Sequence, residues 1–135
     1  MKKLLITGVC GFIGFSFANY LLKNNKNVKI LGLDNLNNYY SPKLKNQRLN
    51  ILKKNKKFVF KKIDISDEKS INKIFRKNKF DLIIHLAAQA GVRYSIDNPD
   101  VYLNSNILGT FNVIKIANKI KVKHLIIGSS SSVYG

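Results

Sequence analysis

The sequence predicts an α/β fold, a doubly wound parallel sheet with strand order 3-2-1-4-5, and three observations carry that expectation. Short, continuously apolar runs alternate with helix-period segments. Glycines at 8, 11 and 14 follow the first apolar run, and Asp34 ends the second, about twenty residues past the last of them. Strict alternation of strand and helix builds right-handed βαβ units, and strands apolar on both faces are covered by helices on both sides.

In chain order, Leu4 to Thr7 reads as the first strand and Gly11 to Lys23 as a helix whose apolar face is Phe12, Ile13, Phe17, Tyr20 and Leu21. Val28 to Leu33 is the second strand. A polar loop from Asn35 to Ser41 follows, and its two tyrosines either stack on a ligand or cover the sheet edge. A polar helix from Pro42 to Lys54 leads to the third strand, Phe58 to Lys62. Ser66, ahead of Asp67 and Glu68, is expected to cap a helix running to Lys77. Leu82 to His85 forms the fourth strand. Asn98 is expected to cap a long helix from Pro99 to Lys119, with Val101, Ile107, Leu108, Phe111 and Ile114 as its core-facing stripe. His124 to Gly128 is the fifth strand. In this arrangement a ligand crevice opens beyond the strand C-termini, where strand order reverses between strands 1 and 4.

The glycine triplet is built to hold a phosphate. Gly8 permits the sharp exit from the strand, Gly11 lets a pyrophosphate reach the backbone, and Gly14 allows close helix packing. The helix start then offers unpaired N–H groups and a positive dipole end to the anion. Asp34 is placed to accept both hydroxyls of an adenosine ribose and, with no arginine in the next residues, to select NAD over a 2′-phosphorylated dinucleotide. Asp64 and Ile65 close the third strand, either as an adenine wall or as a plain turn. The small residues after His85, in Leu86-Ala87-Ala88-Gln89-Ala90-Gly91, admit a flat cofactor. His85 itself is read as a hydrogen-bonded structural residue. Asn106 interrupts an apolar helix and needs partners, either in the strand 4 loop or on a cofactor. The run from Ser129 to Ser132 sets hydroxyls at the mouth of the crevice. Arg93 either meets a carboxylate or phosphate there or pairs with Asp97 or Asp100.

Composition narrows the classes. The net charge of +17 comes from 21 lysines and three arginines spread over every segment without interleaved aromatics, which argues for solvated faces and against a nucleic-acid surface. The opening MKKLLI before GVC imitates a secretion signal, but its apolar stretch is too short, and no run reaches membrane-spanning length. A single cysteine, Cys10, excludes an internal disulfide and fits a reducing, cytoplasmic setting, with Cys10 as a filler of the turn. No metal site is expected.

The segments TGVCGFIG, LDNLNNYY, HLAAQAGVRYS, SNILGTFNV and SSSSVYG, in this order, resemble the extended short-chain dehydrogenase/reductases. More narrowly they resemble the NAD-dependent nucleotide-sugar epimerases and dehydratases, and most of all the UDP-glucuronate 4-epimerases. The resemblance implies a Rossmann domain over residues 1–135. It implies pyrophosphate on Gly8, Gly11, Phe12, Ile13 and Gly14; ribose on Asp34 and Asn35; adenine on Asp64 and Ile65; and cofactor against Leu86, Ala87, Ala88, Gln89 and Asn106. Ser130, four residues before Tyr134, matches the hydroxyl that hydrogen-bonds the reacting sugar oxygen, with Arg93 as a further substrate contact. The reaction implied is 4-epimerisation through a keto sugar, with a decarboxylase, a dehydratase or a non-catalytic NAD sensor as alternatives. The family's YxxxK base and substrate domain are not found in these residues. The fragment alone is expected to be inactive, and the full-length parent is expected to be a homodimer acting on a nucleotide sugar.

Overall fold

The computed structural model describes residues 1–134. Gly135, three residues past the serine run, lies outside the described residues. Strands β1 (Lys2–Thr7), β2 (Val28–Asp34), β3 (Phe58–Lys62), β4 (Leu82–His85) and β5 (His124–Ile127) form one sheet in the order β3-β2-β1-β4-β5. Every neighbouring pair is parallel, with Thr7 level with Leu33 on one side and His85 on the other. The order reverses between β1 and β4, which sets the crevice at the C-terminal ends of those two strands.

Alternation along each strand feeds two cores. Leu4, Ile6, Ile30 and Ile84 face helices α1 (Phe12–Asn24) and α2 (Pro42–Lys53), whose Ala18, Leu22, Leu49 and Leu52 complete one cluster. Leu5, Leu31, Leu33 and Ile83 face the opposite way, toward Ile71 and Phe75 of α3 (Glu68–Arg76) and Val113, Ile116 and Ala117 of α6 (Thr110–Lys119). Between β4 and α6 the chain forms two short helices, α4 (Val92–Asp97) and α5 (Pro99–Tyr102), and a π-helical segment, Leu103–Gly109. A 3₁₀ turn, Ser131–Tyr134, follows β5.

The structure corrects several local expectations. In α1 the buried residues are Gly14, Ala18 and Leu22, while Phe12, Ile13, Phe17 and Tyr20 turn outward. At the start of the helix small residues, Gly14 and Ala18, face the sheet because the glycine turn brings that end too close for large ones. In α6 the buried set is Asn112, Val113, Ile116 and Ala117; Ile107, Leu108, Phe111 and Ile114 are exposed and Val101 is half-buried. That rod is apolar on two sides, and periodicity alone cannot say which side meets the sheet. The helix expected from Pro99 to Lys119 is helical throughout but widens to π geometry around Asn106. Ser66 does not cap α3: Asp67 does, accepting from Ser70 N–H at 3.1 Å, while the Ser66 hydroxyl donates to Asp64. Asn98 makes no side-chain cap, so α5 begins on Pro99 alone.

One polar chain crosses the core where the sheet meets α6. The Thr7 hydroxyl oxygen accepts from the N–H groups of Leu86 and Ala87, both at 3.1 Å. With both lone pairs engaged, Thr7 donates its proton to His85 Nδ1 at 2.7 Å. His85 is then protonated at Nε2, which donates to the Thr110 hydroxyl at 3.0 Å. Burial lowers the His85 pKa from 6.5 to about 4, and Thr7 has no lone pair left for a second imidazole proton.

The unfolded chain takes up this proton near pH 6.5 and the folded chain only near 4. Stability is therefore expected to fall as pH drops through that window, by about 3 kcal/mol. Urea unfolding from pH 7 to 4 measures it, and in His85→Gln, which keeps one donor and one acceptor, that part of the slope is expected to vanish.

Candidate functional site

The crevice begins at the glycine turn. Gly8 has φ +67°, and a Cβ there would lie 2.8 Å from the Ala87 nitrogen, so β1 can leave the sheet beside the β4 loop only through a glycine. A Cβ on Gly14 would collide with the Gly8 carbonyl oxygen. Gly11 differs: its φ is −68°, which any residue adopts, and a Cβ would meet only Gly8 O, at 3.1 Å, with open space beyond. The fold itself gives little reason for glycine at position 11. The reason lies in the space a Cβ would fill, directly before the unpaired N–H groups that open α1, and this concave backbone fits the pyrophosphate of a dinucleotide.

One wall comes from β2 and its loop. The Asp34 carboxylate is buried and accepts from Cys10 N–H and Leu36 N–H, both at 2.9 Å. Leu36 is held at φ 54°, a costly conformation for a bulky residue, which turns its N–H back to Asp34. Asn35 reaches across to donate to Asp64 at 3.0 Å, and Asp64 also accepts from Ser66 N–H and Oγ. Partial burial raises the Asp64 carboxyl, but the donors from Ser66 and Asn35 outweigh it and hold it below the ordinary aspartate range. Ile63 and Ile65 line the adjacent surface, an apolar slot beside paired carboxylates.

The other wall is the β4 loop. Leu86, Ala87, Ala88 and Gln89 all line the crevice. Asn106 fixes this loop from the π segment, accepting from Gln89 N–H at 2.7 Å and donating to Gln89 C=O at 2.9 Å. Six residues on, the buried Asn112 donates to the carbonyls of Ile65 and Ser66 at 3.0 and 3.1 Å, tying the β3 loop to the same rod. Tyrosines join the two walls: the Tyr39 ring lies 4.8 Å from Tyr94, Tyr94 lies 6.4 Å from Tyr102, and Tyr102 donates to Ala90 C=O at 2.8 Å. Gly91, at φ +101°, leaves room for the Tyr39 hydroxyl where a Cβ would stand.

Of the residues singled out in the sequence, Gly8, Gly11, Asp34, Asn35, Asp64, Ile65 and Leu86 to Gln89 line one cavity. Phe12 and Ile13 are exposed beside it, and Gly14 is buried behind. Asn106 acts on the wall through Gln89. Arg93 is exposed on α4, away from this lining, and the one ion pair among the described residues is Lys115–Glu68, so Arg93 pairs with neither Asp97 nor Asp100. Ser130 is exposed past β5, with its Oγ hydrogen-bonded to Ser132 Oγ and N–H at 3.2 Å. Cys10 is a filler indeed: burial first, and Asp34 next, push its thiol up to about 12.

Sequence reasoning missed Lys45 and Arg48 on α2. Lys45 is buried, lines the cavity and donates from Nζ to Asn37 O and Oδ1 at 2.9 and 2.6 Å, 4.4 Å from the Tyr40 ring. Arg48 donates to Cys10 C=O at 3.1 Å and Tyr40 Oη at 3.2 Å, bracing the glycine turn. The readable signal was spacing, since Lys45 stands in register with Leu49 and Leu52, the buried stripe of α2.

A family model described as GDP-mannose 4,6 dehydratase matches residues 5–135. The chain belongs to this family of NAD-dependent epimerases and dehydratases. Among family members, the UDP-glucuronate 4-epimerase of Thermodesulfobacterium geofontis is 48% identical over 134 residues, which are 99% of this chain and 41% of that protein. The UDP-glucuronic acid 4-epimerase of Bacillus cereus, solved in complex with UDP-glucuronic acid and NAD, superposes with a TM-score of 0.88 at 34% identity, over 98% of this chain and 41% of that one. The UDP-Glc/GlcNAc 4-epimerase of Campylobacter jejuni gives 0.87 at 32% identity, over all of this chain and 39% of that one. The chain therefore spans about two fifths of the length of the relatives it matches.

The glycines separate fold from ligand in a way that substitution reads out. Gly14→Ala is expected to destabilise the protein by about 2 kcal/mol or more, whereas Gly11→Ala is expected to cost under about 1 kcal/mol while weakening dinucleotide binding at least about tenfold. Thermal melts and calorimetric titration of both variants check this contrast.

Proposed function

We propose that this chain is the NAD-binding part of a nucleotide-sugar 4-epimerase whose substrate is UDP-glucuronate. The observation that carries the reading is the crevice at the β1/β4 switch point, where the Gly11 cradle, Asp34 and the small residues Ala87 and Ala88 line one cavity. The relatives named UDP-glucuronate 4-epimerase support the substrate class.

NAD, when bound, supplies reversible hydride transfer at the sugar carbon. The chain's own residues do the rest of what is proposed here. Gly8 and Gly11, with the opening N–H groups of α1, hold the pyrophosphate; Asp34 receives the adenosine ribose hydroxyls with Asn35 beside it; Asp64 and Ile65 bound the adenine; and Leu86 to Gln89, pinned by Asn106, carry the far half. Asp34 carries the preference for NAD, because its carboxylate accepts hydroxyl protons and repels a phosphate. Ser130 stands at the end of β5, beside the β4 loop, and hydrogen-bonds the sugar oxygen as it gains charge. Arg93, exposed and without an ion pair among the described residues, meets a substrate carboxylate or phosphate. The tyrosine base and the sugar-binding domain belong to sequence beyond these residues, in a cytoplasmic homodimer.

The full-length protein incubated with UDP-glucuronate and followed by NMR is expected to give UDP-galacturonate. UDP-xylose with carbon dioxide would move the assignment to a decarboxylase, and turnover of no nucleotide sugar would favour a sensor. Ser130→Ala is expected to lower the turnover number by roughly ten- to a thousandfold with a smaller change in substrate affinity. The 135-residue piece alone is expected to show no turnover.

A further inference from the structure

We propose that Asp34 sits in an anion pocket built into the backbone, and that Lys45 is a specificity-determining residue of that pocket, so that removing the Asp34 carboxylate turns the crevice toward a dinucleotide bearing a 2′-phosphate. The proposal rests on the dinucleotide reading above and deepens it. The two donors that hold the carboxylate, Cys10 N–H and Leu36 N–H at 2.9 Å, are main-chain groups and survive any change of the Asp34 side chain. They converge because the turn between Gly8 and Gly11 presents Cys10 and because Leu36 is fixed at φ 54°. Take the carboxylate away, and two buried N–H groups are left facing the crevice without an acceptor, at a cost that an incoming phosphate oxygen would relieve.

Lys45 supplies the charge. It is only 5% exposed yet lines the same cavity, and two of its three ammonium N–H groups are used on Asn37 while the third has no protein partner among the described residues. The Tyr40 face beneath it and the two oxygens of Asn37 hold the cation in place. Among the described residues no carboxylate lies within ion-pair distance of Lys45, and Asp34 is the acid whose field offsets the burial of the ammonium. With Asp34 present, the lining carries two carboxylates, Asp34 and Asp64, against the one ammonium of Lys45, and a 2′-phosphate is repelled. Without it, the Lys45 cation and the two free donors stand together where the carboxylate was, while the remaining acid, Asp64, is engaged by Asn35 and Ser66; that corner is the complement of a phosphomonoester. Asp34 alone therefore does not decide the choice of dinucleotide.

The test is calorimetric titration of the full-length protein, freed of endogenous dinucleotide, with NAD, NADP and 2′,5′-adenosine bisphosphate. The wild type is expected to prefer NAD. Asp34→Ala is expected to bind NADP and the bisphosphate about tenfold or more tighter than the wild type does, and NAD more weakly. In Asp34→Ala with Lys45→Met that gain is expected to disappear. A folded Asp34→Ala protein that binds NADP no better than the wild type overturns the proposal, as does a gain that survives Lys45→Met. Should Asp34→Ala fail to fold, Lys45→Met alone gives the answer: it is expected to lower NADP affinity about tenfold more than NAD affinity, and equal losses overturn the proposal. A wild type that binds neither dinucleotide overturns the dinucleotide reading itself, whereas NAD binding without the NADP gain overturns only this one.

Discussion

The crevice depends on one hydroxyl. Thr7 ends the central strand, and its hydroxyl oxygen takes the Ala87 N–H and shares the Leu86 N–H with its own carbonyl, so the walls on either side of the switch point meet at one buried residue. Because both lone pairs are spent, the hydroxyl proton has one destination, and the direction of every later bond through His85 to Thr110 follows. Serine could donate and accept in the same way but would lack the methyl that packs in this fully buried position. Valine would keep the shape but leave the Ala87 N–H without an acceptor, a cost of about 1–3 kcal/mol, and the Leu86 N–H with only the Thr7 carbonyl.

Charge plays little part in holding the fold. The single ion pair among the described residues, Lys115–Glu68 at 2.7 Å, joins two half-exposed side chains in solvent and contributes little. Stability comes instead from the two apolar clusters on either side of the sheet and from buried amides and hydroxyls that all find partners among the described residues. The lysines thus form a positive field around an interior whose buried charges, Asp34 and Lys45, lie at the crevice, and that field favours approach of a polyanionic ligand and weakens with salt.

Strand order, the glycine turn and the position of Asp34 were legible in the sequence because each follows from a local rule: alternation, spacing, and the conformational needs of a strand-to-helix turn. Faces were not. Phe12 and Phe17, or Ile107 and Phe111, are as apolar as the residues that pack on the sheet, and only the closeness of the glycine turn or the placement of Asn112 shows which side goes in. Lys45 escaped notice because its surroundings come from elsewhere: Asn37 and Tyr40 create the site only when the β2 loop folds back over α2. Cap residues failed for a similar reason, since Ser66 had a better partner in Asp64 than in its own helix.

Asn106 and Asn112 hang from one uninterrupted helical rod, the first gripping the wall that ends β4 and the second the wall that follows β3. Two walls bolted to the same beam cannot breathe independently. The π segment that carries Asn106 ends at Gly109, three residues before Asn112, so the grips on Gln89 and on Ile65 sit close together on the rod. The crevice is therefore a frame of set width, and whatever enters it must match both ends at once.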